Sequence, residues 1–256
     1  MCGIFTIYDS KYQWDSLVDS FSKISYRGPD SSSYLDINNK IIMGFHRLAI
    51  MGISDSGNQP MKHPDDKSLT PMCNGEIYNY KSLAQKYNFN LSTGSDCEVI
   101  LHLFKKIGIE KTIDLLDGVF MFTIYDEIND ILYAGRDPMG VRPGFFSITD
   151  KGIFISSEVK ALINLSKNIA PFPPGSWWSS DKPDKFKRYF YYDSNKSTLN
   201  AEDEILKNIK SLLIDAVLKR LMSEREIGCL LSGGLDSSLI SSIVSKNHIG
   251  KKLNTF

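Results

Sequence analysis

The sequence predicts a mixed α+β domain built on antiparallel sheets, followed by the opening segment of an α/β domain. Three observations carry this. Short apolar runs come in pairs around turn residues. Helical periodicity falls between such pairs rather than after every strand, which disfavours a strictly alternating parallel fold. Near the C-terminal end, a glycine-rich loop joins an apolar run to another helical pattern. At 256 residues, 42% apolar and 23% charged, the composition is that of a globular protein able to bury a core. Lys plus Arg (30) balance Asp plus Glu (30), which removes the general electrostatic case for nucleic acid or an anionic membrane as partner. No apolar run approaches the ~18–20 residues of a membrane span. No basic segment precedes an apolar one as in a signal peptide, so the expected location is the cytoplasm.

Taken in order, residues 2–8 read as an apolar strand. Leu17, Val18, Phe21 and Ile24 predict a helix over 14–25, ended by Gly28-Pro29. Runs 34–37 and 41–45 flank Asn38-Asn39 as a hairpin, and 53–66 reads as a loop. Val99, Ile100, Leu103, Phe104 and Ile107 predict a helix over 96–107. Two more hairpins follow, 119–125 with 131–134 and 145–148 with 153–156. Residues 169–200, with Pro171, Pro173, Pro174, Gly175 and Pro183, read as a domain end and linker with a short strand near Trp177. A helix is predicted over 202–222 with Asn200 as its N-cap, then a buried strand over 227–231, a loop over 232–237, a helix from Leu239 and a strand from Leu253. The expected domains are 2–190 and 200–256. The second is small for an independent core, so a longer α/β domain is expected.

The cysteines (Cys2, Cys73, Cys97, Cys229) contain no C-x-x-C pair, and the histidines no H-x-x-x-H pair. Neither a disulfide framework nor a metal site is expected. Cys73, Cys97 and Cys229 read as structural. Cys2 is different. Beside so small a side chain Met1 is expected to be removed, and Cys2 would then carry both a thiol and an α-amine of pKa roughly 7.7–8.0. Nucleophile and general base would share one residue. The plain alternative is a buried cysteine that happens to come early.

Cys2-Gly3-Ile4-Phe5, Arg27-Gly28-Pro29-Asp30, His46-Arg47-Leu48-Ala49-Ile50, Asn74-Gly75-Glu76-Ile77-Tyr78-Asn79 and Gly94-Ser95-Asp96 occur in that order. Asp117-Gly118-Val119-Phe120, Gly135-Arg136-Asp137, Gly140-Val141-Arg142-Pro143 and Ser157-Glu158-Val159-Lys160-Ala161 continue the series. The set resembles the glutaminase domain of class II glutamine amidotransferases, and within them the asparagine synthetases. The resemblance implies an N-terminal-nucleophile hydrolase fold, an αββα sandwich of two antiparallel sheets. It implies that Cys2 attacks glutamine and that Asn74 and Gly75 bind the oxyanion. Arg47 would hold the α-carboxylate, Glu76 and Asp96 the α-ammonium, and Leu48, Ala49, Ile50 and Met51 would line the glutamine site. Arg27 and Asp30 are expected to shape a loop, and His46 to be structural. Taken singly, Arg47, Asp96 and Glu76 could be surface ion pairs, and Asn74 and Gly75 turn residues.

Leu231-Ser232-Gly233-Gly234-Leu235-Asp236-Ser237-Ser238 lies between a predicted strand and a predicted helix, where backbone N–H groups and a helix start favour an anion. It is not G-x-x-x-x-G-K-[ST]. It resembles the pyrophosphate loop of N-type ATP pyrophosphatases, which implies ATP contacts from Leu231, Ser232, Gly233, Gly234, Asp236 and Ser237, with Mg2+ neutralising the phosphates. In that family ATP activates aspartate as β-aspartyl-AMP, which glutamine-derived ammonia converts to asparagine with release of AMP and pyrophosphate. The aspartate site is expected outside these 256 residues, so this chain alone is expected to act as a glutaminase. The alternatives are an amidotransferase acting on another carboxylate, a stand-alone glutaminase, or a non-catalytic glutamine-binding protein. Lys182, Lys185, Lys187 and Arg188 are offset by Asp181 and Asp184 and make no nucleic-acid site. The oligomeric state stays open, a homodimer included. One departure from the family pattern is Gly144, where a larger apolar residue is usual. Looser local packing is expected there.

Overall fold

Gly3–Tyr8 forms a strand (β1) buried along its whole length, as a continuous apolar run in a covered central strand requires. Around it, the computed structural model describes residues 1–63, 66–192, 201–247 and 253–256, which divide into two compact units, residues 1–191 and 192–256.

In the first unit, helix α1 (Trp14–Ser22) follows β1 and gives way to a 3-10 turn over Ser25–Arg27 rather than stopping cleanly before Gly28. Strands β2 (Ser31–Ile37) and β3 (Ile41–Arg47) form the expected hairpin. Asn38 and Asn39, both at positive φ, make its turn, a conformation Asn tolerates better than most residues. Then come β4 (Leu69–Ile77), α2 (Tyr80–Tyr87), α3 (Glu98–Leu115), β5 (Gly118–Asp126), β6 (Ile131–Arg136), β7 (Phe145–Thr149) and β8 (Gly152–Ser156). Short strands β9 (Ala170–Pro171), β10 (Ser176–Ser179) and β11 (Lys187–Arg188) complete it.

The strands make two sheets, ordered β2-β3-β1-β8-β7-β9 and β11-β10-β6-β5-β4, and every pairing within them is antiparallel. Ile4, Met43, Phe45 and Ile155 of the first sheet meet Met72, Met121, Leu132 and Trp178 of the second in a shared core. On the outer face of the first sheet, Leu17, Phe21 and Ile24 pack on Phe5, Ile7 and Phe154. Helix α3 covers the second sheet, with Phe104 against Tyr133 at 4.9 Å between ring centroids. The result is the helix–sheet–sheet–helix sandwich.

Several differences from the sequence reading have physical causes. β4 was masked by Pro71, Asn74 and Gly75, which depress strand propensity. As an edge strand, it accommodates a proline that has no N–H to give. α3 does not end at Ile107: it kinks at Gly108 (φ 73°, ψ 173°), and a second helical segment continues to Leu115. Residues 170–188 are not a linker. Buried Phe172 and Trp178 belong to the inter-sheet core, and β9 and β10 extend the two sheets. At the Gly144 departure, a Cβ would lie 2.7 Å from Met121 Sδ. The methionine side chain fills the space, so packing there is not loose.

The second unit, described by itself, contains α4 (Glu202–Leu218), β12 (Gly228–Cys229), α5 (Leu235–Asn247) and β13 (Asn254–Thr255). β12 and β13 are parallel. Val217, Ile243 and Val244 form its small core. The run 227–231 is not a buried strand. Pairing covers only Gly228–Cys229, and Leu230 is 82% exposed. Asn200, the expected N-cap, lies outside the described residues, and Ala201 precedes the helix.

Candidate active site

Cys2 sits immediately before β1. Since β1 lies between β3 and β8 in the sheet, the approach to Cys2 is fixed on both sides. Ile4 N–H donates to Ser157 Oγ at 3.0 Å, and Ser157 N–H returns to Ile4 O at 3.0 Å. Arg27 Nε donates to Cys2 O at 2.9 Å. The thiol faces Leu48, whose N–H lies 3.4 Å from Sγ and whose carbonyl lies 3.5 Å away. Burial pushes the Cys2 thiol above its usual range, partly countered by the Leu48 N–H. Burial also pushes the α-amine of Met1, the N-terminus in this structure, down, aided by the positive charges of Arg142 and Arg27 and opposed by the Cys2 sulfur and Glu76.

Three further stretches bring the other sequence-predicted residues to this pocket. Cys2, Arg47, Leu48, Ile50, Met51, Asn74, Gly75, Glu76 and Asp96 all line it. Ala49 does not line the pocket: it is buried, and its N–H donates to Asp30 Oδ2 at 2.8 Å. Asp30 thereby shapes the loop after β3, as expected. His46 is structural as well, held by Phe21 O at 3.0 Å and Ser32 at 2.7 Å and stacked on the Phe21 ring.

Arg47 ends β3 with its guanidinium buried. It donates to Ser54 O at 2.9 Å, to Asn58 Oδ1 at 2.8 Å and to Gly52 O. Gly52 has φ +57° and its Cα faces the Gly94–Ser95 backbone so closely that a Cβ there would lie 2.7 Å from Ser95 N. The loop that sets Arg47 is thus pinned to the segment that carries Asp96. Asp96 Oδ2 accepts the Ile77 N–H at 2.6 Å. Burial pushes its carboxyl up to about 6, the Ile77 bond opposing and Glu76 adding to the rise.

Asn74 and Gly75 lie on β4, opposite Met121 and Phe120. Asn74 is 1% exposed, yet its side-chain Nδ2 has no hydrogen-bond partner. A buried donor left unmade costs ~1–3 kcal/mol, and such orphans call for a functional reason. Glu76 lines the pocket while ion-paired to Arg142. Asp137 accepts the backbone N–H groups of Val141 at 2.9 Å and Arg142 at 3.0 Å, which fixes the turn presenting that arginine.

The sequence reading missed several contributors. Cys73 and Cys97 are buried, but both also line the pocket. A hydrogen bond to the Cys73 thiol, then burial, raises Cys97 well above the thiol range. Gln59 ties the pocket loop to β4, accepting Cys73 N–H at 2.6 Å and donating to Cys73 O at 3.2 Å. Arg27 is not merely a loop former, because it reaches the Cys2 backbone. No spacing rule links residues that meet only through sheet packing.

In the second unit, the loop Leu231, Ser232, Gly233, Gly234 is exposed and leads into α5. Gly233 has φ +84° and open space where a Cβ would stand. Ser232 Oγ lies 3.0 Å from Ser237 Oγ, and Ser237 Oγ donates to Gly234 O at 3.1 Å. Asp236 lies in the first turn of the helix.

Known proteins align with both units. The glutamine amidotransferase domain family matches residues 1–219, and the asparagine synthase family matches 208–256. A probable glutamine-hydrolysing asparagine synthetase of Acanthamoeba polyphaga mimivirus is 38% identical over 96% of this chain and 50% of its own length. The glutamine-hydrolysing asparagine synthetases of Mus musculus and Homo sapiens are 39% and 38% identical over 96% of this chain and 48% of theirs. The chain therefore spans about half the length of the curated relatives it matches. Among solved structures, the glutamine phosphoribosylpyrophosphate amidotransferase of B. subtilis superimposes with a TM-score of 0.63 at 18% identity, over all of this chain and 65% of that one. That likeness shows a shared fold, the sandwich of two antiparallel sheets between helices. With fold, motif order and sequence identity in agreement, the chain belongs to the glutamine amidotransferase domain family.

Proposed function

We propose that residues 2–190 are a glutaminase that releases ammonia from glutamine with Cys2 as nucleophile. The observation that carries this is the unpartnered Asn74 amide, buried in the same pocket as the Cys2 thiol. With Met1 removed, the Cys2 amine takes the thiol proton. The raised thiol suits this division of work: burial keeps it from standing ionised, so it needs a base, and an α-amine of ordinary pKa roughly 7.7–8.0 is partly neutral near pH 7. The sulfur attacks the glutamine side-chain carbonyl. Negative charge grows on its oxygen, where Asn74 Nδ2 and the Gly75 N–H receive it. The protonated amine returns its proton to the leaving nitrogen, ammonia departs, and water cleaves the thioester to glutamate. Arg47 receives the α-carboxylate with its planar fork, Asp96 and Glu76 receive the α-ammonium, and Leu48, Ile50 and Met51 wall the site.

Residues 200–256 would contribute the start of an ATP-dependent synthetase. Ser232, Gly233, Gly234 and Ser237 form an open, exposed loop ahead of a helix start, which fits a phosphate group. Leu231 and Asp236 flank it. The nucleotide, with Mg2+, would supply a leaving group for activating a carboxylate. On the names of the relatives, that carboxylate is the side chain of aspartate and the product asparagine, formed in a longer polypeptide. The four free thiols suit a reducing compartment such as the cytoplasm. Among the described residues, no helix is long and apolar enough to cross a membrane.

The test is glutamate release from glutamine by the purified chain beside Cys2→Ala. Release by the wild type and none by the variant supports the reading. Equal release by both overturns it.

A further inference from the structure

Glu158 lies just beyond β8, on a segment to which the sequence assigns no chemistry. Its carboxylate accepts a hydrogen bond from Arg27 Nη1 at 2.7 Å. The same guanidinium donates through Nε to Cys2 O at 2.9 Å, so Cys2 and Glu158 are linked through one rigid planar group. Arg27 is buried (8% exposed), and its Nη2 has no partner. A second hydrogen bond reaches Glu158 from the Tyr26 hydroxyl. Lys160 Nζ lies 3.5 Å from the other carboxylate oxygen and over the Tyr26 ring.

We propose that Glu158 is a positioning residue of the glutaminase centre: through Arg27 it fixes the backbone of Cys2 and balances the buried guanidinium charge bonded to that residue. The proposal rests on Cys2 being the nucleophile. Two consequences follow from the geometry. The Cys2 carbonyl, α-nitrogen and side chain all branch from one Cα, so loosening Arg27 misaims both reacting atoms. Arg27 is also one of two cations whose charge reaches the chain's N-terminal amine, which is that of Met1 in this structure. Arg142 is the other, with the Cys2 sulfur and Glu76 as the opposing negative groups. Glu76 already neutralises Arg142, and Glu158 does the same for Arg27. Burial acts to raise the Glu158 carboxyl, but the bonds from Tyr26 and Arg27 outweigh it, so the carboxyl is lowered and stays charged across the working range.

The experiment compares wild type with Glu158→Gln, Glu158→Ala and Lys160→Met. It reads kcat and KM for glutamate release against pH. It also reads the rate at which iodoacetamide alkylates Cys2, located by mass of the N-terminal peptide. Glu158→Gln keeps the shape and removes the charge. Its kcat is expected to fall about tenfold with KM nearly unchanged, and the acid limb of kcat to move to lower pH, because an uncompensated Arg27 disfavours the ammonium form. Glu158→Ala, which also frees Arg27 to move, is expected to lose about 10²-fold in kcat. Lys160→Met removes only an exposed partner of Glu158 and should stay within about twofold of wild type. Wild-type kcat and an unmoved acid limb in Glu158→Gln overturn the proposal even if Glu158→Ala fails to fold. If the wild type releases no glutamate, the glutaminase reading has failed separately. The alkylation profile then decides, and an unchanged profile in Glu158→Gln overturns the role of Glu158.

Discussion

Replacing Asn74 by alanine separates catalysis from stability in a way few substitutions can. The side chain is 1% exposed and its Nδ2 is unpartnered, so the free protein carries an unmade donor costing ~1–3 kcal/mol. When negative charge forms on the substrate oxygen, that donor makes a charge-assisted bond, and one such donor is worth ~2.7–4 kcal/mol in the transition state. Asn74→Ala should therefore lower kcat about 10²–10³-fold. KM should change little, because the neutral carbonyl of bound glutamine draws far less on the bond. Stability should hardly move: lost packing is offset by removal of the orphan, leaving a Tm within ~4 °C of wild type for a unit of this size. The assay is steady-state glutamate release, with a thermal melt of the same samples. A near-wild-type kcat would refute the oxyanion assignment. A loss confined to KM, or a Tm drop beyond ~8 °C, would refute the premise that the donor is unmade in the free protein.

Other expectations are more local. The Asp96 carboxyl, raised to about 6 by burial, must be ionised to receive the α-ammonium. KM for glutamine should therefore rise as pH falls below about 6 and be flat well above it, and Asp96→Asn should show a high KM at every pH. An unchanged KM at pH 5 refutes the contact. Glu98 accepts Ser92 N–H at 2.9 Å and Thr93 N–H at 2.8 Å, with both hydroxyls and His102 added. Burial opposes ionisation, but these bonds win and hold the carboxyl at about 2. Its contribution is then complete above the unfolded value of 4.5 and lost as pH falls from 4.5 toward 2. Glu98→Gln should cost about 3 kcal/mol at pH 7 and progressively less in acid, read by urea unfolding at several pH values. Gly75→Ala would put a Cβ 2.7 Å from Phe120 Cα across the β4–β5 ladder. It should destabilise by ~1–3 kcal/mol and lower glutaminase activity, with a wild-type melt as the contrary result.

Much of the site was legible in the sequence because its parts are continuous motifs. Arg47 through Met51, Asn74 through Glu76 and Asp96 each arrive with neighbours that fix their own turn or strand. The fold was legible where alternation or helical period is strong, as in β1, α1 and the β5–β6 hairpin. It was not legible where the chain breaks its own propensities. β4 carries a proline and a glycine and is held as a strand by nine register pairs with β5. Arg27 read only as a loop former, and Glu158 and Arg142 read as motif members without a role, because their partners lie 25, 131 and 66 residues away. Only the sheet order brings them together, and no periodicity in the sequence encodes sheet order.

The central claim is that Cys2 supplies both nucleophile and base. The most direct measurement compares glutamate release by the chain with a free Cys2 amine, verified by intact mass, with the same chain carrying an uncleaved N-terminal extension. The thiol is present in both, and only the amine is lost in the second. The account predicts that the extended form is slower by about 10²–10⁴-fold, the contribution of a positioned general base. Equal rates would contradict it and require a base elsewhere in the pocket.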